Sequence, residues 1–458
     1  MGPLDEILAD SRPEEGEAVA GVVARFLAAA RAGETPVPPS HAAVQALFDE
    51  PAPAAGRPFA EVLARVEHEV IPSAAWLHDP MHMAHQLSCP LPAAIWTEPV
   101  VASLNQSMAV AELSRAATAL ERRVLRWLAD LAGFPAEAGG TFTIGAMEAT
   151  FTALAAARAR LWPDAWEHGV GGREAVVLCG QHAHYSVARA VSQLGLGSAA
   201  CVASPADERH ATDPRALAMA LAAERRPVMA VVATAGSTAV GAFDDLEAIA
   251  DLCAERGIWL HVDGAHGASA LLSAAHRHRV AGVGRADSLA WDPHKMLSLP
   301  LASGALLLRD ERRLDAAFAQ HAEYLFHDRS ERVYDQGVRS FQCSRRGDAL
   351  KLWVAWQRYG TDGLAALYDH LCATTAAFHA AVEEHPAFDA LHRPEANILC
   401  FAHRGGRDEE LREAWNASGR GHLSLTRLDG RPVLRVTIMN PFTTPEHCRA
   451  TLDGLASL

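Results

Sequence analysis

Short apolar runs alternate with amphipathic stretches through the middle of the chain. Four runs are continuous enough to be buried strands, at 175–180, 230–236, 259–264 and 304–310. Between two of them, the stretch 244–257 carries its apolar residues at helical spacing. Because strands buried on both faces read as unbroken apolar runs, this alternation predicts a mostly parallel sheet covered by helices on both sides.

The two ends of the chain follow other patterns. The beginning reads as amphipathic helices joined by Pro- and Ala-rich connections, and the end combines a long helical stretch with two strand candidates at 396–403 and 432–440. The end therefore predicts a smaller α+β domain. We divide the chain into an N-terminal helical segment (1–75), a large α/β domain (76–320), a loop (321–344) and a small C-terminal domain (345–458).

Composition narrows the class of protein. The chain has 458 residues, half of them apolar, and a formal net charge of −14, which argues against nucleic-acid binding. Its eight cysteines lack paired spacing, so we expect reduced thiols and no metal site. There is no uninterrupted apolar run of about 18 residues and no signal-peptide pattern in the acidic start. We expect a cytoplasmic protein with no membrane or nucleic-acid partner.

Lysine is almost absent from this chain. Of the 41 basic residues only Lys295 and Lys351 are lysines, and Lys295 lies in the stretch DSLAWDPHKMLSLP, 287–300. Arginine stays protonated, whereas a desolvated lysine amine can lose its proton and condense with a carbonyl. Either Lys295 is kept for such chemistry, or it is a residual surface charge in an arginine-rich composition. Lys351 lies in an amphipathic helix and is interpreted as structural.

Polar residues follow the predicted strands. Asp263 ends one run, Thr234 lies at the end of another, His184 follows a third, and His294 and Lys295 precede the last. In α/β sheets, ligands bind at the carboxyl ends of the strands. An acid, a hydroxyl, a histidine and an imine-capable lysine at those ends suit one cofactor, pyridoxal 5′-phosphate.

The order of the surrounding motifs resembles that of the group II pyridoxal-dependent amino-acid decarboxylases. These fold-type I enzymes include the aromatic amino acid, glutamate, cysteine sulfinate and 2,4-diaminobutyrate decarboxylases. The resemblance spans roughly residues 75–445. Its motifs are GTFTIGAMEAT (140–150), HYS (184–186), TAGSTAVGAFD (234–244), HVDGAHG (261–267) and DPHK (292–295). It implies an α/β fold with a mostly parallel sheet of seven-stranded type in the large domain.

The resemblance also implies roles for the residues at the strand ends. Lys295 would form the internal aldimine with the cofactor, and Asp263 would pair with the protonated pyridine nitrogen. His184 would stack on one face of the ring and Ala265 would pack on the other. His294 would touch the phosphate or the imine.

The phosphate would bind at the start of a helix within 143–148. Backbone N–H groups of Gly145, Ala146 and Met147 would hold it, and Thr234 would lie near the cofactor edge. The family usually reads T-S-G-G-S/T-E-A-N here, whereas this chain reads T-I-G-A-M-E-A-T. Side-chain hydrogen bonds to the phosphate are therefore lost, while the backbone donors remain. These departures motivate an alternative outcome, decarboxylation with oxidative deamination to an aldehyde.

Proton return to Cα is assigned, by resemblance, to a tyrosine on a mobile catalytic loop near a dimer interface. Tyr334, in the polar middle of the loop at 324–346, is the candidate. Its presence favours decarboxylation of an L-amino acid to an amine by a homodimer with its active site at the interface. A third reading is a catalytically inactive scaffold homologue, against which the retention of Lys295 argues.

The substrate stays open among diamino, acidic and aromatic amino acids. Candidate pocket residues are His85, Thr118, His266 and Arg346. Arginine is the default cation of this chain, so Arg346 is weak evidence for an acidic substrate.

Overall fold

The computed structural model describes residues 12–37, 39–318 and 335–458. The helices are α1 (Pro13–Arg31), α2 (His41–Leu47), α3 (Phe59–Arg65), α4 (Pro92–Ile95), α5 (Glu98–Leu104), α6 (Ala111–Leu131), α7 (Ala146–Leu161), α8 (Ala165–His168), α9 (Ser186–Val191), α10 (Pro214–Ala223), α11 (Leu246–Arg256), α12 (Arg313–Ala317), α13 (Ala349–Glu384), α14 (Asp408–Ala417) and α15 (Pro445–Ala456). The strands are β1 (Gly139–Thr143), β2 (Val176–Gly180), β3 (Cys201–Ser204), β4 (Val228–Thr234), β5 (Trp259–Asp263), β6 (Ser288–Trp291), β7 (Gly304–Leu308), β8 (Phe388–Ala390), β9 (Ile398–His403), β10 (Ser424–Leu428) and β11 (Arg431–Thr437).

The large sheet has seven strands in the order β1-β7-β6-β5-β4-β2-β3. Neighbours from β3 to β6 run parallel, whereas β7 is antiparallel to both β1 and β6. The predicted mostly parallel sheet is therefore confirmed. Because β7 runs the other way, its first residue lies at the same edge as the last residues of β1, β4, β5 and β6.

Burial on both faces explains the continuous apolar runs. Every residue of β2, β5, β6 and β7 is buried. The helix α7 has most of its residues buried against the sheet, and its small alanines allow that close packing. On the other face, α6 and α11 bury apolar side chains in a second core. The result is a three-layer sandwich in which polar residues at the strand ends meet at one edge.

The C-terminal part folds as a four-stranded antiparallel sheet, β10-β11-β9-β8, packed with α13 to α15. The helical path of α13 breaks at Gly360, whose φ is +68°. None of the described helices is long and apolar enough to cross a membrane.

The four apolar runs predicted as strands become β2, β4, β5 and β7, with ends shifted by one or two residues. The short strands β1, β3 and β6 were not predicted, because runs of four or five residues inside a motif or beside Gly lack a clear period. The domain boundaries stay predictions, and most of the loop predicted at 321–344 lies outside the described residues.

Candidate functional site

A cavity of about 230 Å³ opens at the carboxyl edge of the large sheet. It brings together most of the predicted site residues: Gly145, Ala146, Met147, His184, Thr234, Asp263, Ala265, His266, His294 and Lys295. A larger cleft of about 570 Å³ lies between the two domains, lined by arginine and glutamate side chains and without a lysine. The smaller cavity is the candidate active site because it holds the potential nucleophile.

Lys295 lies on the turn that follows β6. Its Nζ is 3.5 Å from Asp292 Oδ2, and its backbone N–H donates to the Asp292 carbonyl at 2.9 Å. The other carboxylate oxygen of Asp292 is buried with no hydrogen-bond partner among the described residues. The lysine side chain is about one fifth exposed, so it is largely shielded from solvent.

His294 lies between this turn and the backbone that leads into β7. Its Nδ1 accepts a hydrogen bond from the Ser303 N–H at 3.2 Å, and its Nε2 is 3.4 Å from Asp292 Oδ2. Because Nδ1 is an acceptor, the proton of the neutral ring is on Nε2. Burial lowers the pKa of His294, and the Asp292 carboxylate opposes that shift.

Asp263 and Thr234 are register neighbours at the ends of β5 and β4. Asp263 is nearly buried, and its Oδ1 accepts the N–H of Ala265 at 3.2 Å. The Thr234 N–H donates to Asp244 Oδ2 at 2.7 Å, while the Thr234 hydroxyl has no partner among the described residues. A carboxylate and an unpartnered hydroxyl thus point to a ligand with polar groups at this edge.

His184 follows β2 and is oriented by Ser186. Its Nδ1 accepts from the Ser186 N–H at 3.3 Å and lies 2.8 Å from the Ser186 hydroxyl. The proton is therefore on Nε2. Burial lowers the pKa of His184, opposed by the charge of Asp263, so the ring is held neutral and in one orientation.

The helix α7 begins at the cavity. Gly145 is its N-cap residue. The Glu148 N–H donates to the Gly145 carbonyl at 3.1 Å, whereas the N–H groups of Ala146 and Met147 precede the intrahelical hydrogen bonds and are left for a ligand. Glu148 Oε2 accepts the Ile144 N–H at 2.9 Å and so fixes the turn before the helix. A helix N-terminus of this kind binds an anion through backbone donors, whatever side chains it carries.

Three predicted pocket residues do not line the cavity. Arg346 pairs with Glu98 at 2.6 Å, and Thr118 is buried with its hydroxyl 2.9 Å from that of Ser114. His85 is exposed and lies 6.1 Å from the His422 ring. Their assignment to the substrate pocket stays a prediction. The candidate proton donor Tyr334 lies outside the described residues.

Arg435, on β11, was not predicted. It is only 6% exposed, and within residues 12–37, 39–318 and 335–458 its guanidinium has no hydrogen bond or ion pair. The pKa of His266 is lowered to about 3, first by burial and then by the charge of Lys295, with a further contribution from Arg435. Arg435 is therefore a buried cation near the cavity wall. An arginine inside an apolar strand was the sequence signal for it.

His266 is held by the small domain. Its Nε2 is 2.6 Å from Asn397 Oδ1, and the Asn397 amide donates to the Ile438 carbonyl at 2.9 Å. That second bond fixes which end of the amide faces the histidine, so His266 Nε2 donates. Since Asn397 and Arg435 both belong to the small domain, the cavity wall depends on how the two domains pack.

No group of three or more His, Cys, Asp or Glu side chains arranged to hold a metal ion is found in the described parts of the chain. The polar atoms of the cavity are those of a lysine, carboxylates, histidines and a helix N-terminus.

Residues 40–404 match the family described as the pyridoxal-dependent decarboxylase conserved domain. L-2,4-diaminobutyrate decarboxylase of Rhizobium meliloti (strain 1021) is 37% identical over 89% of this chain and 83% of its own length. Cysteine sulfinic acid decarboxylase of Rattus norvegicus is 36% identical over 68% of this chain and 64% of its own length.

Solved structures agree in fold. The apo form of mouse CSAD superposes with a TM-score of 0.87 at 28% identity, covering 96% of this chain and 98% of that one. Oryza sativa TDC with PLP and tryptamine gives a TM-score of 0.91 at 25% identity, covering 100% of this chain and 98% of that one.

Proposed function

Because the chain belongs to the pyridoxal-dependent amino-acid decarboxylases, we propose that Lys295 is the residue that holds the cofactor and that the enzyme converts an L-amino acid to its amine and CO₂. The observation that carries this proposal is the convergence of Lys295, Asp263, His184 and the start of α7 on one cavity. These four features follow or end four different strands, which are far apart in the sequence.

The residues present fit pyridoxal phosphate. The cavity wall contains three buried polar atoms with no partner among the described residues: Thr234 Oγ1, His266 Nδ1 and Asp292 Oδ1. Unsatisfied buried polar atoms are costly, so their presence is typical of a site built for a polar ligand. The start of α7 suits the phosphate, and the lysine amine suits the aldehyde.

Each side chain then has a defined task. Asp263 would hold a proton on the pyridine nitrogen, His184 and Ala265 would enclose the ring, and His294 would position the turn that carries Lys295. When bound, pyridoxal phosphate supplies an electron-withdrawing ring that accepts the electron pair released as CO₂ leaves. The burial of Asp263, Ala265 and His294 shields this part of the cavity from water, which strengthens the electrostatic interactions there.

We assign the α-carboxylate of the substrate to Arg435. A buried guanidinium without a partner is unfavourable by several kcal/mol, on the order of the desolvation of one ion. A bound carboxylate removes that cost through paired N–H···O bonds. The charge of Arg435 acts on His266, which lines the cavity, and this supports the assignment.

L-2,4-diaminobutyrate is the first substrate to test, since the relative that covers 89% of this chain acts on it by name. Cysteine sulfinate is the second, on the lower coverage of its enzyme. Tyr334 is proposed as the proton donor to Cα.

We further propose that the enzyme is a homodimer. Ile144 and Leu301 line the cavity, and Tyr185 and Phe341 lie on neighbouring segments. All four side chains are about 60% exposed, and we call them the apolar rim. Several exposed large apolar side chains near one site are typical of an interface. A partner subunit over this rim would close the cavity.

A reducing compartment such as the cytoplasm is proposed from the cysteines. All eight are free thiols, and most are buried. Burial raises the pKa of Cys253 and Cys400 to about 12, which keeps these thiols protonated and unreactive.

The cofactor proposal is tested by reductive trapping. The protein is loaded with pyridoxal phosphate, reduced with borohydride and analysed by mass spectrometry; we expect a single adduct on Lys295. Lys351 is an internal control because it is fully buried. Lys295→Ala should show no adduct and no visible absorption band. An unlabelled wild-type protein, or an adduct on Lys351, contradicts the proposal.

The reaction is tested with a panel of the standard amino acids plus 2,4-diaminobutyrate, ornithine and cysteine sulfinate, assayed for CO₂ and amine. Aldehyde and peroxide are measured in the same samples. Aldehyde with peroxide in place of amine would establish the oxidative outcome instead of simple decarboxylation.

A further inference from the structure

Lys351, the second lysine of the chain, is completely buried in the first turn of α13. Its ammonium is surrounded by four oxygens. Nζ donates to the Ala302 carbonyl at 2.8 Å and to the Pro300 carbonyl at 3.3 Å, and lies 3.0 Å from a carboxylate oxygen of Glu98 and of Asp348. The sequence placed Lys351 on an amphipathic helix with a structural role, and the structure adds that its charge is buried among these oxygens.

The position is unfavourable for a cation in two respects. A buried ammonium loses its hydration, and the N-terminal end of a helix carries positive partial charge. Glu98 and Asp348 offset the charge. Charge balance does not require the hydrogen bonds to the two carbonyls. These bonds attach the helix to residues 300–302.

Residues 300–302 form a wall of the candidate active site. Leu301, between the two carbonyl acceptors, lines the cavity. The next residue, Ser303, donates its N–H to His294 Nδ1 at 3.2 Å. Lys351 also contributes to the lowered pKa of His294, after burial and nearer charges. The turn therefore connects Lys351 to the segment that carries Lys295.

We propose that Lys351 is a positioning residue that fixes the 300–302 turn, and through it Leu301 and His294, so that both lysines of the chain serve one cavity. The assignment of that cavity to the cofactor rests on the proposed function. The attachment of the turn to Lys351 does not.

This arrangement explains why position 351 is a lysine in a chain whose other cations, apart from Lys295, are arginines. A compact ammonium can direct its three N–H bonds to oxygens on different sides, whereas a planar guanidinium is larger and donates in one plane. In a site with no exposed surface, arginine cannot reach the same carbonyls without displacing the turn. The half-exposed Arg346 pairs with the same Glu98 carboxylate, whereas the fully buried position 351 holds a lysine.

The test compares Lys351→Arg and Lys351→Met with Leu452→Ala, which removes a buried side chain in α15 that does not line the cavity. Hydrogen–deuterium exchange is followed on a peptide covering 296–308, at a temperature where all variants are folded by circular dichroism. Both lysine variants should speed exchange at 299–303 at least about tenfold, as expected for a locally opened segment. Leu452→Ala should leave that peptide unchanged.

The second readout is the dissociation constant for pyridoxal phosphate, measured from its bound absorption. Both lysine variants should raise it at least about tenfold, while Leu452→Ala stays near wild type. Wild-type exchange and cofactor affinity in Lys351→Arg would overturn the proposal, as would equal exchange changes in Leu452→Ala. If the wild type bound no cofactor, the proposed function would fail, and the exchange result would still decide the role of Lys351.

Discussion

Arg435 carries a buried charge whose partner is not found in the described parts of the protein. In a folded protein such a group opposes stability, and it persists where function needs it. The same logic applies to the unpartnered Thr234 hydroxyl and Asp292 carboxylate oxygen in the cavity. Similar unsatisfied atoms occur elsewhere in the described residues, so at the residue scale the site is marked by their combination with Lys295 in one cavity.

Replacing Arg435 by methionine should separate stability from function. We expect Arg435→Met to keep or raise the melting temperature, because the buried cation is gone, and to raise KM for the amino acid roughly thirtyfold, about 2 kcal/mol for a lost charge-assisted pair. Calorimetry and steady-state kinetics measure the two effects. Arg435→Lys keeps the charge, so its KM should lie between those of the wild type and Arg435→Met. An unchanged KM in the methionine variant would remove Arg435 from the substrate site.

Among the elements, β7 is the one whose direction shapes the cavity. It begins at Gly304, where an added Cβ would lie 2.6 Å from Gly145 Cα, 2.7 Å from Thr143 Oγ1 and 2.8 Å from Asp292 Oδ1. Glycine at the start of this antiparallel strand lets the β1–α7 turn approach the Lys295 turn closely. The anion site and the lysine come together for this reason.

Gly304→Ala should displace the β1–α7 turn. We expect an overpacking cost of about 1–3 kcal/mol in the free energy of unfolding and weaker binding of pyridoxal phosphate. Denaturant titration and cofactor absorption measure these. The matched control is Gly16→Ala in α1, where a Cβ meets nothing within 4 Å; it should be neutral or stabilising. Normal cofactor binding by Gly304→Ala would show that the close approach is dispensable.

For the whole molecule, four histidines that are buried or partly buried link folding to pH. Burial lowers the pKa of His82 and His266 to about 3 and that of His261 and His392 to about 4. In the unfolded chain these groups titrate near about 6.5. Between the two values the unfolded state binds more protons, so stability is full above the unfolded pKa and falls as pH falls toward about 4.

Urea unfolding at pH 7, 6 and 5 tests this linkage. Each such histidine contributes up to about 1.4 kcal/mol per pH unit in that window. His392→Gln keeps an acceptor for the Cys400 N–H, which donates to His392 Nε2 at 3.0 Å, and should flatten the pH dependence. His41→Gln, at the exposed start of α2, should not. A pH-independent midpoint in the wild type contradicts the prediction.

The proposed dimer is also a property of the whole molecule. Phe341→Asp places a charge in the apolar rim of the cavity and should shift the mass in light scattering from two chains to one. Met219, 73% exposed on α10, supplies the control, and Met219→Asp should stay dimeric. A monomeric wild type would show that the rim has another role.

The sequence by itself determined the class of fold and most of the cavity, including Lys295, Asp263, His184 and the start of α7. Buried parallel strands have unbroken apolar runs, and the residues that follow them must meet at one edge. The resemblance of the motifs to the pyridoxal-dependent decarboxylases added the start of α7 and the role of His184. Tyr334 was also named from sequence, but it lies outside the described residues and stays a prediction. Only the tertiary structure decided which charges are paired: Arg346 has Glu98, Arg435 has no partner among the described residues, and Lys351 is buried against 300–302. The pairing and burial of a charge depend on segments far apart in the chain, so the local pattern of apolar residues does not predict them.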